Sequence, residues 1–148
     1  MAPSRYSTLP DALKRSTHFV ALAVLLTGIA WLALHFAPNS WIEEERSRHL
    51  QAQSLKLHGA AAMLSLIAIG TLLIGHILPG LKNPQNRAAG IALLACAGTL
   101  ALTGWGLYYL GDEDLRGWAS DVHIAIGVVA ALAFIWHVRY RKRCARVD

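Results

Sequence analysis

Histidine is the residue type in this sequence best suited to chemistry. Seven histidines occur among 148 residues, and a neutral imidazole binds metal ions and haem iron through one of its ring nitrogens. His123 and His137 are 14 residues apart. On an α-helix this spacing gives a rise of about 21 Å and a direction within about 40° of the starting one. One helix could therefore present two imidazoles on the same face, at two depths, to two stacked haems.

The two cysteines indicate how a haem would be held. Cys96 lies in an apolar run and Cys144 in a basic tail, so a structural disulfide between them is not expected. Neither belongs to a CxxCH haem-attachment motif or to a zinc-type spacing. Any haem would therefore be bound without thioether links, as haem b.

Four long apolar segments must position the histidines. They cover about residues 16–36, 57–78, 88–110 and 119–138, and their central parts contain no Asp, Glu, Lys or Arg. About 20 helical residues cross the ~30 Å hydrocarbon layer, and a helix satisfies its own backbone hydrogen bonds there. The chain is 55% hydrophobic and 16% charged. These features predict an all-α integral membrane four-helix bundle, surrounded by lipid, that forms one domain over residues 1–148.

The distribution of basic residues predicts the orientation. Ten of the fourteen Lys and Arg residues fall on one side: Arg5, Lys14, Arg15, Lys82, Arg87, Arg139, Arg141, Lys142, Arg143 and Arg146. The positive-inside rule therefore puts both termini in the cytoplasm, as expected for a multi-pass protein of the bacterial inner membrane. The net charge of +5 does not indicate nucleic-acid binding, because no basic helix face with interleaved aromatic residues accompanies it.

This topology assigns the histidines to depths. His35, His58 and His123 fall in the outer leaflet, and His18, His76 and His137 in the inner leaflet. The second and fourth segments run in the same direction, so His58 is expected level with His123. The first segment runs the opposite way, which brings His18 level with His137. Each leaflet thus offers candidates for the two axial ligands of a haem iron. His49, in the acidic outer connection, is interpreted as an interfacial histidine.

His76 and His35 are the alternative ligands. His58 and His76 are 18 residues apart, which is five α-helical turns, so they would share a helix face. The corresponding rise of about 27 Å exceeds the ~21 Å between His123 and His137, which would put His76 about one turn deeper than His137. This difference favours His18 as the inner ligand, with His76 near a haem propionate, a quinone or the interface.

Several of these residues resemble a known family. His18, Thr27-Gly28, His58, Thr103-Gly104-Trp105 and the pair His123 and His137 look like the bacterial cytochrome b561 family. That family includes the di-haem cytochrome b subunits of formate dehydrogenase and nickel-iron hydrogenase. The resemblance implies one haem on His58 and His123 and another on His18 and His137. It also implies electron transfer between a periplasmic redox partner and membrane quinone. The short connections around the third segment, and the additional His35 and His76, depart from the family pattern.

Three classes of function are consistent with these features. The leading one is an electron-transfer subunit of a larger quinone-linked oxidoreductase, with two haem b groups and quinone as cofactors. A stand-alone quinone-reducing cytochrome b is a variant of it. A haem-free transporter or metal carrier could instead use the histidines as a relay. Against that class, no acidic residue lies in the centre of an apolar segment, and no predicted helix is broken by proline. A structural anchor with incidental histidines would not explain their matched depths.

Overall fold

A computed structural model describes residues 10–37, 42–82 and 84–144, with only the backbone for 84–86 and 140–144. The helices are α1 (Asp11–His35), α2 (Glu44–Leu72), a π-helical turn (Leu73–Ile77), α3 (Leu78–Lys82), α4 (Pro84–Tyr109) and α5 (Glu113–Cys144). Four helical stretches are long and apolar enough to cross a bilayer: Asp11–His35, Glu44–Lys82, Arg87–Tyr109 and Glu113–Arg139. The predicted all-α, four-span membrane architecture is therefore confirmed. Arg5 and Arg146, used to predict orientation, lie outside the described residues.

Two helices extend well beyond the apolar segments that predicted them. α2 begins at Glu44 rather than near residue 57, and α5 begins at Glu113 rather than near residue 119. Their first turns carry acidic side chains, which interact favourably with the positive end of a helix dipole. In α2, Arg48 donates a hydrogen bond to Glu44 at 3.1 Å. The length of an apolar segment predicts only the part of a helix that would lie in lipid. It does not predict polar extensions of this kind.

The chain divides into two compact units, Met1–Leu78 and Pro79–Asp148. In the first, α1 packs against α2, and in the second, α4 packs against α5. Each unit is thus a helical hairpin, which we call the first and the second hairpin. A polar contact joins the helices of the first hairpin where Gln51 donates a hydrogen bond to the Leu34 carbonyl at 3.2 Å. The expectation of one domain over the whole chain stays a prediction.

Large apolar side chains cover the outer surfaces of both hairpins. The side chains of Phe19, Leu102 and Trp136 are about 70% exposed, at 72%, 72% and 71%. Exposed apolar surface of this extent would be unfavourable in water, whereas lipid tails solvate it without cost. Such exposure is typical of helices long and apolar enough to cross a bilayer.

The second span is not a uniform α-helix. Leu73–Ile77 form a π-helical turn, and the Leu78 amide donates to the Leu73 carbonyl. Pro79 follows directly; it has no N–H and its ring clashes with the carbonyl four residues earlier, so a local change of helical register relieves both problems. The predicted second segment ends at Leu78, and the helical span continues through Pro79 to Lys82, so the proline does not break it. His76 lies within the turn, so the rise and direction calculated for an α-helix from His58 do not apply to it.

Candidate functional site

In the first hairpin, α1 holds the imidazole of His58. The Nδ1 atom of His58, on α2, lies 3.1 Å from the Val24 carbonyl oxygen and 3.1 Å from the Thr27 hydroxyl oxygen. His58 is half-buried. Val24 and Thr27 are three residues apart and therefore project from the same side of α1. The contact thus fixes the ring of His58 between two polar groups of the neighbouring helix.

These contacts determine which ring nitrogen of His58 carries the hydrogen. A carbonyl oxygen can only accept a hydrogen bond, so Nδ1–H must donate to Val24. Thr27 donates its single hydroxyl hydrogen to the Ala23 carbonyl, 2.7 Å away, so its oxygen can accept from the same Nδ1–H. In a neutral imidazole the lone pair then lies on Nε2. This tautomer is the one in which Nε2 binds a metal and Nδ1–H is held by a carbonyl.

The second hairpin repeats this arrangement. The Nδ1 atom of His123, on α5, lies 2.8 Å from the Thr103 hydroxyl oxygen on α4. The Thr103 hydroxyl also lies 2.8 Å from the Thr99 carbonyl, and when it donates there its oxygen can accept from Nδ1–H of His123. Both hairpins thus pair a threonine on their first helix with a histidine on their second. In that arrangement the lone pair of His123 lies on Nε2, as it does in His58.

A glycine follows each of these threonines and makes room for the histidine. A Cβ atom built on Gly28 would lie 3.2 Å from Cε1 of His58, and one built on Gly104 would lie 3.4 Å from Cε1 of His123. In the sequence, Gly28 and Gly104 stood out only as members of the two Thr-Gly pairs. The structure instead gives them a specific role, because they let the helix backbone approach the facing imidazole.

The closeness of this approach predicts the effect of adding a methyl group. Gly28→Ala should lower stability by about 1 kcal/mol, because the ring of His58, held at Nδ1 by α1, must give way by a few tenths of an ångström. Gly98→Ala is the matched control, since a Cβ atom there would meet no atom within 4 Å among the described residues. Alanine is also the better helix former by up to ~1 kcal/mol. Thermal unfolding in detergent should therefore separate a destabilised Gly28→Ala from an unchanged or stabilised Gly98→Ala. Equal melting temperatures would contradict the tight contact.

His18 shows the same ring polarity through a contact within its own helix. Its Nδ1 atom contacts the Lys14 carbonyl, one turn earlier on α1. Because a carbonyl only accepts, Nδ1 must carry the hydrogen, and the lone pair of the neutral ring lies on Nε2. His18 is exposed within its hairpin. The carbonyl contacts thus give His18 and His58 the same tautomer.

The remaining histidines differ in their surroundings. His137, the fourth predicted ligand, and His76 are half-buried, on α5 and in the π-helical turn. His35 is stacked on Trp31 at 4.7 Å and meets Phe36 edge-on at 5.0 Å. This small aromatic cluster at the end of α1 is typical of a membrane interface. His49 is exposed on the polar extension of α2, as expected for an interfacial residue.

The acidic residues between the apolar segments lie largely at the starts of α2 and α5. Glu44 and Glu45 lie in the first turn of α2, and Glu113 and Asp114 in the first turn of α5. Asp112 precedes α5 and accepts a hydrogen bond from the Leu115 amide at 2.9 Å, which is an N-terminal cap. Some of these acidic side chains therefore have a local role: they cap a helix or interact favourably with its dipole.

Sequence reasoning identified the histidines but not the groups that hold them. Thr27 and Thr103 were noted as parts of a motif, with no assigned contact. The available signal was the repeated Thr-Gly pair, once in each hairpin and each time before a histidine of the next helix. Val24 carries no such signal, because any residue type supplies a backbone carbonyl.

Comparison with known proteins adds no further assignment. No protein-family model, curated protein or solved structure matched the chain. Within the part of the chain that the structure describes, no group of three or more His, Cys, Asp or Glu side chains is arranged to hold a metal ion. A haem iron differs from such a site, because it takes four ligands from its macrocycle and two from the protein.

Proposed function

We propose that this chain is a di-haem b-type membrane cytochrome that transfers electrons across the membrane between a periplasmic redox partner and the quinone pool. One haem takes His58 and His123 as axial ligands, and the other takes His18 and His137. The observation that carries the proposal is the repeated contact of a threonine with Nδ1 of His58 and of His123. Metal-binding histidines generally donate their other ring N–H to such a partner, which fixes the tautomer and the ring direction.

The residues present fit a haem in several respects. His58, His123 and His18 each have Nδ1 engaged, so that Nε2 is the nitrogen that can bind iron. Gly28 and Gly104 allow the rings of His58 and His123 to sit against the neighbouring helix. When bound, the haem supplies one-electron redox chemistry. The chain supplies the axial nitrogens, holds their direction and keeps the surroundings apolar.

The proposed location is the bacterial inner membrane, with both termini in the cytoplasm. Ten of the fourteen basic residues assign the N-terminal arm, the second connection and the C-terminal tail to the same side. Cys144 is the last described residue and belongs to that basic tail. It therefore serves as a reporter of orientation.

The proposed partners are a periplasmic redox protein, as a subunit of a larger redox complex, and membrane quinone. On the outer side of this topology, each hairpin presents an acidic helix start. These comprise Glu43, Glu44, Glu45, Asp112, Glu113 and Asp114. Such charge attracts a basic partner and increases its rate of encounter, an effect that salt screens over about 10 Å at 0.1 M.

Electron transfer through reconstituted vesicles tests this function. The purified chain is inserted into liposomes that contain a quinol, and a basic soluble cytochrome is added outside as acceptor. Vesicles in which Cys144 reacts with an impermeant maleimide only after permeabilisation have the proposed orientation. We expect the quinol to reduce the bound haems, which should be seen as b-type absorption bands. The acceptor should be reduced more slowly as salt increases.

A variant without the six acidic charges, together with its control, tests the docking of the basic partner. Replacing all six outer acids by their amides should remove most of the salt dependence, while Asn at position 112 keeps the cap on α5. Asp11→Asn is the control, because Asp11 pairs with Lys14 at 3.1 Å on the proposed cytoplasmic side. Failure of the quinol to reduce any haem would contradict the proposed function. An unchanged salt dependence in the amide variant would contradict the docking of a basic partner.

A further inference from the structure

Thr27 and Thr103 share a specific chemical position. Each donates its hydroxyl hydrogen to its own helix, to Ala23 at 2.7 Å and to Thr99 at 2.8 Å. Each hydroxyl oxygen also lies at hydrogen-bond distance from Nδ1 of a histidine on the adjacent helix, at 3.1 Å for His58 and 2.8 Å for His123. When the hydroxyl hydrogen is donated within its own helix, the oxygen can accept from the imidazole.

An acceptor at Nδ1–H changes the electronic character of an axial histidine. It draws the hydrogen away from the ring, raises the basicity of the imidazole and increases electron donation from Nε2. A more basic ligand stabilises ferric iron relative to ferrous iron, and hydrogen bonding of this kind is one means by which a protein sets a haem potential. The strength of the hydrogen bond at Nδ1 is therefore a determinant of the reduction potential.

We propose that Thr27 and Thr103 are positioning residues that hold the axial imidazoles in the Nδ1–H tautomer and lower the reduction potential of the haem bound by His58 and His123. This inference rests on the proposed haem ligation and extends it to two residues that do not touch the iron. In that ligation, the same kind of threonine contact would support both imidazoles.

The contribution of the two threonines differs in its expected size. His58 has a second acceptor, because its Nδ1–H also donates to the Val24 carbonyl at 3.1 Å. Removal of the Thr27 hydroxyl therefore leaves one acceptor in place. The His123 contact with Thr103 is the shorter of the two, at 2.8 Å. Because its contact is the shorter one, Thr103→Val should have the larger effect, and the double variant an effect larger than either single change.

Potentiometric titration of the purified, haem-containing protein tests the proposal. Valine has nearly the shape of threonine but no hydroxyl. We expect Thr103→Val to shift the ferric-to-ferrous equilibrium of one haem about tenfold towards ferrous iron. For a one-electron couple this corresponds to a rise in potential of about 59 mV. Thr103→Ser, which keeps the hydroxyl, should retain the wild-type potential. Thr71→Val is the matched control, because its hydroxyl donates to Ala68 within its own helix at 2.8 Å.

A second measurement reports the tautomer without using the potential. In the dithionite-reduced protein, low-spin iron is diamagnetic, and histidine ring nitrogens labelled with ¹⁵N can be observed by NMR. Nδ1 of His58 and His123 should be protonated in the wild-type chain, with weaker hydrogen bonding in the valine variants. If Thr103→Val does not assemble, Thr103→Ala removes the same hydroxyl with a smaller side chain.

The possible outcomes separate this proposal from the proposed function. A raised potential in Thr103→Val with restoration by serine supports a positioning role. Full haem content and an unchanged potential in both Thr103→Val and Thr27→Val would overturn the positioning role and leave haem binding intact. A wild-type protein that binds no haem would instead refute the function on which this inference rests.

Discussion

His58→Ala and His123→Ala are each expected to lower the haem content from about two per chain to about one, with loss of the same haem. Both imidazoles have Nδ1 in contact with a threonine hydroxyl, which leaves Nε2 as the nitrogen that would bind iron in the proposed ligation. Removal of either ring leaves one axial ligand, which holds a non-covalent haem weakly. Pyridine haemochrome analysis of the purified variants measures the content, and the reduced spectrum identifies the remaining haem.

Three controls distinguish loss of a ligand from loss of the fold. His49→Ala should keep both haems, because His49 is exposed on the polar extension of α2. His123→Gly leaves space for an imidazole molecule, and imidazole added to the medium should restore part of the missing haem. Retention of the inner haem in each variant would itself show that the bundle is assembled. If both alanine variants retained two haems, the axial role of His58 and His123 would be wrong.

The second large effect concerns the inner haem. His18→Ala should remove it, whereas His76→Ala should leave both haems in place. His18 has its Nδ1–H directed to the Lys14 carbonyl, so its tautomer matches that of His58. His76 lies in the π-helical turn before Pro79, and we expect it beside a propionate or a quinone. Haem content and the low-temperature spectrum of the two variants measure the difference.

The rise calculated from His58 to His76 assumed an α-helix throughout, and the π-helical turn at Leu73–Ile77 removes that assumption for His76. The expectation therefore depends on the tautomer of His18 rather than on a calculated rise. Loss of the inner haem in His76→Ala together with its retention in His18→Ala would show that His76 is the ligand.

The four spans were predictable because lipid imposes a simple physical requirement. A helix in hydrocarbon needs about 20 apolar residues, and composition reveals such stretches directly. The helix starts at Glu44 and Glu113 were not predictable in this way, because they depend on capping and dipole interactions in polar sequence. The π-helical turn follows from Pro79, but its effect on register depends on which carbonyls the local backbone can satisfy.

The candidate site was predictable only at the level of residue type. Histidine spacing identified His58 and His123 as members of the proposed ligand set. The contact of Thr27 with His58 joins residues 31 positions apart, and that of Thr103 with His123 joins residues 20 apart. Contacts across a hairpin depend on how two helices pack, which the periodicity of either helix does not specify. The carbonyl of Val24, which determines the tautomer of His58, is visible only in the structure.

The haem content of the purified wild-type chain tests the central claim most directly. The protein is extracted in mild detergent, its polypeptide is quantified by amino-acid analysis, and its haem is measured as the pyridine haemochrome. The proposed ligation predicts about two haem b per chain. All of this haem should be released by acid-acetone, because neither Cys96 nor Cys144 lies in a CxxCH motif. A colourless protein, with haem content near zero after expression with sufficient haem supply, would contradict the claim.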